Sequence, residues 1–241
     1  MASLQSNLLT HFFLIRLPRA TRHPLTLSFG LLLPVAVLLP EPLLAQNLTL
    51  VENAYEKGYL QNDEKYGTWE YYDERGELEL EFDHSSGEVV FAQEDPEPYV
   101  VAQGGEWVEQ SLDVAPRYLG STDLWYHNIA KTIRYPESAQ AKSIKGTVYV
   151  SFEVDAEGNP HHYKVEQDIG GGCGEEVIRT LQEVTGPWVP AQLHDQPCTA
   201  RFIMPVNFSV GKAAKLKPAK DPLPAARMLP EFSIVAYGSR R

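Results

Sequence analysis

Residues 146–154, GTVYVSFEV, set apolar Val148, Val150, Phe152 and Val154 in strict alternation with Thr147, Tyr149, Ser151 and Glu153. A period of two is satisfied only by a strand with one buried face. The Gly-Asn-Pro turn at Gly158–Pro160 predicts a hairpin whose second strand runs from His162 to Gln167. A third alternation appears in ARFIMPVNFSV, residues 200–210, through Phe202, Met204, Val206, Phe208 and Val210. Pro205 sits in its middle. Proline has no N–H to donate, so this strand belongs at a sheet edge or carries Pro205 at a bulge.

Two helical patterns frame these strands. Ser121 or Thr122 can cap a helix with Leu124, Trp125, Ile129 and Ile133 on one face, and Pro136 ends it or opens a short second helix through Ala141. GGGCGEEVIRTLQEV leads into another helix, with Val177, Ile178, Leu181 and Val184 at core spacing and Glu175 and Glu176 in its first turn. The fold class expected is α+β: over residues 117–210, two helices on a three-stranded antiparallel sheet with an exposed third strand. Upstream, residues 46–92 space Gly58, Gly67, Gly76 and Gly87 between short aromatic and charged stretches, which predicts a small β-meander. Residues 93–116, held extended by Pro96, Pro98 and Pro116, read as a linker. Residues 211–241 form a basic Pro/Ala-rich tail, either flexible or pairing through FSIVAY as an extra strand.

Residues 1–45 differ from the rest. Arg16, Arg19, Arg22 and His23 precede an apolar run from Leu25 to Pro40, and the stretch closes on Leu43-Leu44-Ala45. This reads as a signal peptide cleaved after Ala45. The competing reading is a short membrane anchor, against which Pro34, Pro40 and Glu41 interrupt the run. Export to the periplasm makes Cys173 and Cys198 an even pair in an oxidising compartment; a disulfide between them and two buried free thiols are the alternatives.

The net charge of -11 argues against nucleic acid, which demands clustered Lys and Arg. Acids outnumber Lys57, Lys65 and Arg75 between Glu52 and Glu109, yet no EF-hand spacing is present and a solvated surface explains them. The Gly170–Gly172 run lacks the Lys-Ser or Lys-Thr of a phosphate loop and is followed by carboxylates, so it reads as a tight turn. His161 and His162, adjacent on a strand, should point to opposite faces and not chelate together. No Gly-x-Ser-x-Gly or His-Glu-x-x-His motif occurs. The expectation is a protein that is not an enzyme, with no catalytic residue, no metal site and no cofactor.

Tyr135-Pro136, Ala139, Gly146-Thr147-Val148, Phe152, Val154, Gly158, Val165, Gly170–Gly172, Glu176, Trp188, Pro190 and Pro205-Val206-Asn207-Phe208 occur in order over residues 117–210. In this the segment resembles the C-terminal domain of the TonB family of energy transducers, in its Bacteroidetes-type form. The resemblance implies that the last strand adds a short extended peptide, the TonB box of an outer-membrane TonB-dependent transporter, to the sheet edge. The partner-binding residues would then be Ala200, Arg201, Phe202, Ile203, Met204, Pro205, Val206, Asn207 and Phe208. Gly67, Trp69, Tyr71, Tyr72, Asp73 and Gly76 of the meander resemble MORN-like repeats, which implies a contact surface. Full transducers engage a proton-driven inner-membrane motor through an uncleaved helix and carry a long Pro-rich spacer. Here the apolar segment is short, and residues 93–120 reach only about 90 Å. The rival expectation is therefore a self-associating envelope scaffold, a homodimer through the same edge, without energy coupling.

Overall fold

The computed structural model describes residues 48–211 and 218–236. The signal-peptide expectation for residues 1–45 lies outside them. Among the described residues no helix is long and apolar enough to cross a membrane.

The meander forms as the glycine spacing predicts. Strands β1 (Leu48–Glu52), β2 (Glu56–Gln61), β3 (Glu64–Tyr72), β4 (Leu78–Asp83) and β5 (Glu88–Ala92) pair in sequence order, all antiparallel. Asn62 and Asp63 both take positive φ, which lets a two-residue loop follow the twist of β2 and β3. One face of this sheet buries Trp69, Tyr71 and Leu80.

Residues 93–116, expected to be a linker, contain a hairpin instead: β6 (Tyr99–Gln103) and β7 (Glu106–Gln110) close around Gly104-Gly105. Two five-residue strands carry too little periodicity to stand out from a Pro-rich context. There follow β8 (Arg117–Tyr118), α1 (Thr122–Thr132), α2 (Glu137–Ala141), β9 (Gly146–Val154), β10 (Pro160–Gln167), α3 (Cys173–Glu183), β11 (Trp188–Val189), β12 (Ala191–Leu193), β13 (Gln196–Cys198) and β14 (Ala200–Val210). Ser121 caps α1, its Oγ accepting from the Leu124 N–H at 3.3 Å. The tail adds β15 (Arg227–Met228) and β16 (Phe232–Ala236).

The fold is α+β, but the three-stranded sheet is enlarged. The main sheet has seven strands in the order β10-β9-β14-β6-β7, with β15 and β16 also paired to β14. Short pairs β8–β11 and β12–β13 stand beside it. Even-numbered residues of β9 and β14 turn to the helices: Val148, Val150, Phe152, Phe202, Met204, Val206 and Phe208 are buried with Trp125 and Ile129 of α1, Val177 and Leu181 of α3, and Trp188. Trp188 meets Trp125, Phe152 and Phe202 with ring centroids 5.1–5.7 Å apart.

Strands β15 and β16 run parallel to β14, so the chain must cross over between them. Lys220 donates its backbone N–H to Gln167 Oε1 of β10 at 2.5 Å, at the far side of the sheet. On the face of the sheet away from the helices Tyr149, Ser151, Ile203, Asn207 and Ser209 are also buried.

Candidate functional site

The nine residues from Ala200 to Phe208 lie together on β14, and all nine pair antiparallel with β9 on its inner flank. The outer flank is where an incoming segment would add. Backbone contacts identify which residues face it. The Thr199 carbonyl accepts from the Ala102 N–H at 2.9 Å, the Ile203 carbonyl from the Leu229 N–H at 2.9 Å, and the Gly211 N–H donates to the Ala236 carbonyl at 2.9 Å. These are odd-numbered positions, and by the two-residue period so are Arg201, Pro205, Asn207 and Ser209.

Pro205 therefore turns its nitrogen outward. On the inner flank it would have interrupted the ladder with β9; on the outer flank its missing N–H leaves β9 untouched. The sequence expectation of an edge-type strand is right about chemistry and wrong about exposure. Ala200 and Arg201 are opposite Val101 and Val100 of β6, Phe202 and Ile203 opposite Arg227 and Met228 of β15, and Val206–Val210 opposite Phe232–Ala236 of β16. Between β15 and β16, Met204 and Pro205 face a break in the tail ladder. The third strand is thus covered by the chain itself, and the side chains of Phe202, Ile203, Met204, Val206 and Phe208 are almost wholly buried. Exposure was misjudged because the covering strands come from residues distant in sequence.

The tail is held by chemistry at both ends. The Arg227 guanidinium pairs with Asp95 at 3.2 Å and with Glu97, and lies 5.0 Å over the Tyr99 ring. Tyr99 donates its hydroxyl to Asp95 at 2.7 Å, completing a patch that ties β15 to the approach of β6. Leu229, Phe232, Ile234 and Ala236 pack at the margin of the main core. Beneath Leu229 and Pro230 lies a cavity of about 300 Å³ walled by Tyr99, Arg117, Tyr118, Trp125 and Trp188. Arg117 donates to the Glu79 carbonyl at 2.9 Å and the Gln93 carbonyl at 2.6 Å, which closes the cavity on the meander side. Burial lifts the Glu79 carboxyl above its ordinary range at this wall, although the Thr122 N–H donates to it at 3.0 Å.

Of the two alternatives for Cys173 and Cys198, the structure has them as free thiols, Cys173 buried and Cys198 partly so. Cys173 is seated in the main core by α3, whereas Cys198 is held on the β12–β13 hairpin opposite Ala191. Burial, reinforced by Asp168, Glu175 and Glu176, pushes the Cys173 thiol up to about 12, so it stays protonated and inert. The adjacent histidines also depart from expectation. His162 has φ +52 and the β9–β10 register shifts between His161 and Lys164, so both rings turn toward Glu153.

Residues 131–210 match the family described as Gram-negative bacterial TonB protein C-terminal. The matched segment ends on the last residue of β14. A solution structure of the Helicobacter pylori TonB C-terminal domain is similar at 22% identity over 35% of this chain and 87% of that one, with a TM-score of 0.27. No curated protein matches the chain.

Proposed function

We propose that this is a periplasmic TonB-like protein whose β14 outer flank takes up an extended segment of an outer-membrane TonB-dependent transporter once β15 and β16 have left it. The observation that carries the reading is that the flank already accepts an extended strand through main-chain bonds, in register over Val206–Val210. Backbone pairing is insensitive to side-chain identity, so a flank that holds one strand can hold another of suitable shape. The cavity under Leu229 then offers a pocket for a side chain of the incoming segment. Pulling on such a segment would load β14 along its length, the geometry energy transduction requires.

The resident tail competes. A tethered segment acts at an effective concentration of about millimolar, so a free peptide meets a receptor whose open state is a minor fraction. The same covering stands in the way of pairing between two copies, so the scaffold reading too requires the tail to leave. The test is a titration of TonB-box peptides followed by backbone amide shifts, in the full chain and in a chain ending at Gly211. Shifts at Ile203, Asn207 and Ser209, with affinity at least about ten-fold higher in the shortened chain, support the reading. No shift of β14 amides in either chain overturns it.

A further inference from the structure

Glu153, His161 and His162 bring one ligand atom each within 4.8 Å of one another at the open end of the β9–β10 hairpin. We propose that they form a binding site for a divalent transition cation of the zinc type. Glu153 Oε2 lies 2.9 Å from His162 Nδ1 and 3.8 Å from His161 Nε2. Two ligands of a tetrahedral zinc, each about 2 Å from the metal, stand about 3.3 Å apart. The two observed separations bracket that spacing, and of the three side chains His162 is the exposed one, free to rotate onto the cation.

The surroundings prepare each donor. His161 Nδ1 sits 3.1 Å from the Asn159 carbonyl, an acceptor only, so that nitrogen carries the proton and Nε2 keeps its lone pair toward Glu153. A ring nitrogen bonded to a main-chain carbonyl is the usual outer support of a metal-ligating histidine. Glu153 Oε1 is engaged from the other side by Arg201, at 2.8 Å through Nη2 and 3.2 Å through Nε, which leaves Oε2 for the cation. Arg201 is itself fixed by stacking 3.6 Å over the Trp107 ring. His162 Nδ1 is bonded to Oε2 without a metal; on binding, the neutral ring moves its proton to the exposed Nε2 and the cation takes the place between Nδ1 and Oε2. Asp155 is not a further ligand, because Oδ1 accepts from the Glu157 and Asn159 N–H groups to close its own turn. Two imidazoles and one carboxylate on one side of a hairpin leave the remaining positions open to water, and their softness selects zinc-type ions over Mg²⁺ or Ca²⁺.

The left-handed backbone of His162 is the sequence-invisible device here. In regular strand geometry the two histidines would part to opposite faces. Asparagine tolerates the same conformation, so His162→Asn removes the ligand without straining the bulge. The experiment titrates zinc chloride alone into the full chain, following heat and the imidazole resonances, with magnesium chloride as the control. One saturable site is expected, with the resonances of His161 and His162 moving first and affinity falling at least about ten-fold in each of His161→Asn, His162→Asn and Glu153→Gln. Thermal melting of the metal-free His162→Asn chain should stay within about a few degrees of the parent, the one exposed hydrogen bond to Glu153 being what it loses, which assigns the fall in affinity to the ligand. Absence of saturable binding, equal response to magnesium, or affinity unchanged in the three variants overturns the site.

Discussion

Gly158 shows how a single position links the hairpin to the rest of the domain. Its φ is +83, and a Cβ there would stand 2.1 Å from the Trp188 carbonyl oxygen, whose own N–H donates to the Gly158 carbonyl at 2.9 Å. Gly67 has φ +64 with open space around the same point. Gly158→Ala should therefore cost about 2–4 kcal/mol from backbone strain and overlap together, and Gly67→Ala only about 1–2 kcal/mol, compared by urea denaturation midpoints. The pH response belongs to the same scale. At Glu153, Glu166 and Glu176 partial burial pushes the carboxyl upward, but hydrogen bonds from His162 and Arg201, from Lys164 and Ser151, and from Arg179 and the Arg134 N–H hold each below its ordinary 4.5. Folded values below unfolded ones mean that this stabilisation is complete above pH 4.5 and is lost as pH falls through the folded values. Denaturant midpoints at pH 7 and pH 3 should show the lower stability in acid; an unchanged midpoint would refute the assignment.

At the scale of elements, β14 is an edge strand that the chain has made internal. Its inner flank is closed by nine register positions on β9, its outer flank by three short strands with a break at Pro205. Such a flank should open locally at less than the global unfolding energy. Arg227→Ala removes both ion pairs at the start of β15. Hydrogen exchange should then accelerate at the outward amides of Asn207 and Ser209 while the inward amides of Val206 and Phe208 keep their protection. Equal acceleration at all four would show that β14 unfolds as a whole instead. That Pro205 marked an edge was legible from one residue, because the missing N–H is a property of proline wherever it stands. Of the occupants of the edge, FSIVAY was legible as an extra strand, one of two alternatives for the tail, whereas YVVAQ was not, because five residues carry too little periodicity to stand out from a Pro-rich context.

Across the whole described chain, the meander and the C-terminal domain share their packing. Val189 of β11 is buried with Trp69, Tyr71 and Leu80 of the meander. Ser121 donates its hydroxyl to the Tyr72 carbonyl at 2.7 Å while capping α1, and Asp123 accepts from the Glu74 N–H at 2.6 Å. Arg117 adds its two bonds to the Glu79 and Gln93 carbonyls, with its Nε buried and unpartnered. Shared caps and a shared apolar cluster predict one cooperative unfolding transition, seen at the same midpoint by tryptophan fluorescence and by far-ultraviolet circular dichroism. Separate midpoints would mean that the two sheets unfold independently.

The local pattern of the chain determined what is local in the protein. Alternation at residues 146–154 and 200–210 specified strands and their buried faces, Ser121 specified a helix start, and the glycine spacing upstream specified a meander. These follow from steric preference and burial within a few residues. The tertiary structure alone decided which strands share a flank, that the tail returns to cover β14, and that a left-handed His162 faces its neighbour's side of the hairpin. The physical reason is that main-chain donors and acceptors are the same at nearly every residue. Which of them meet depends on where the whole chain brings them, and no short stretch of sequence contains that information.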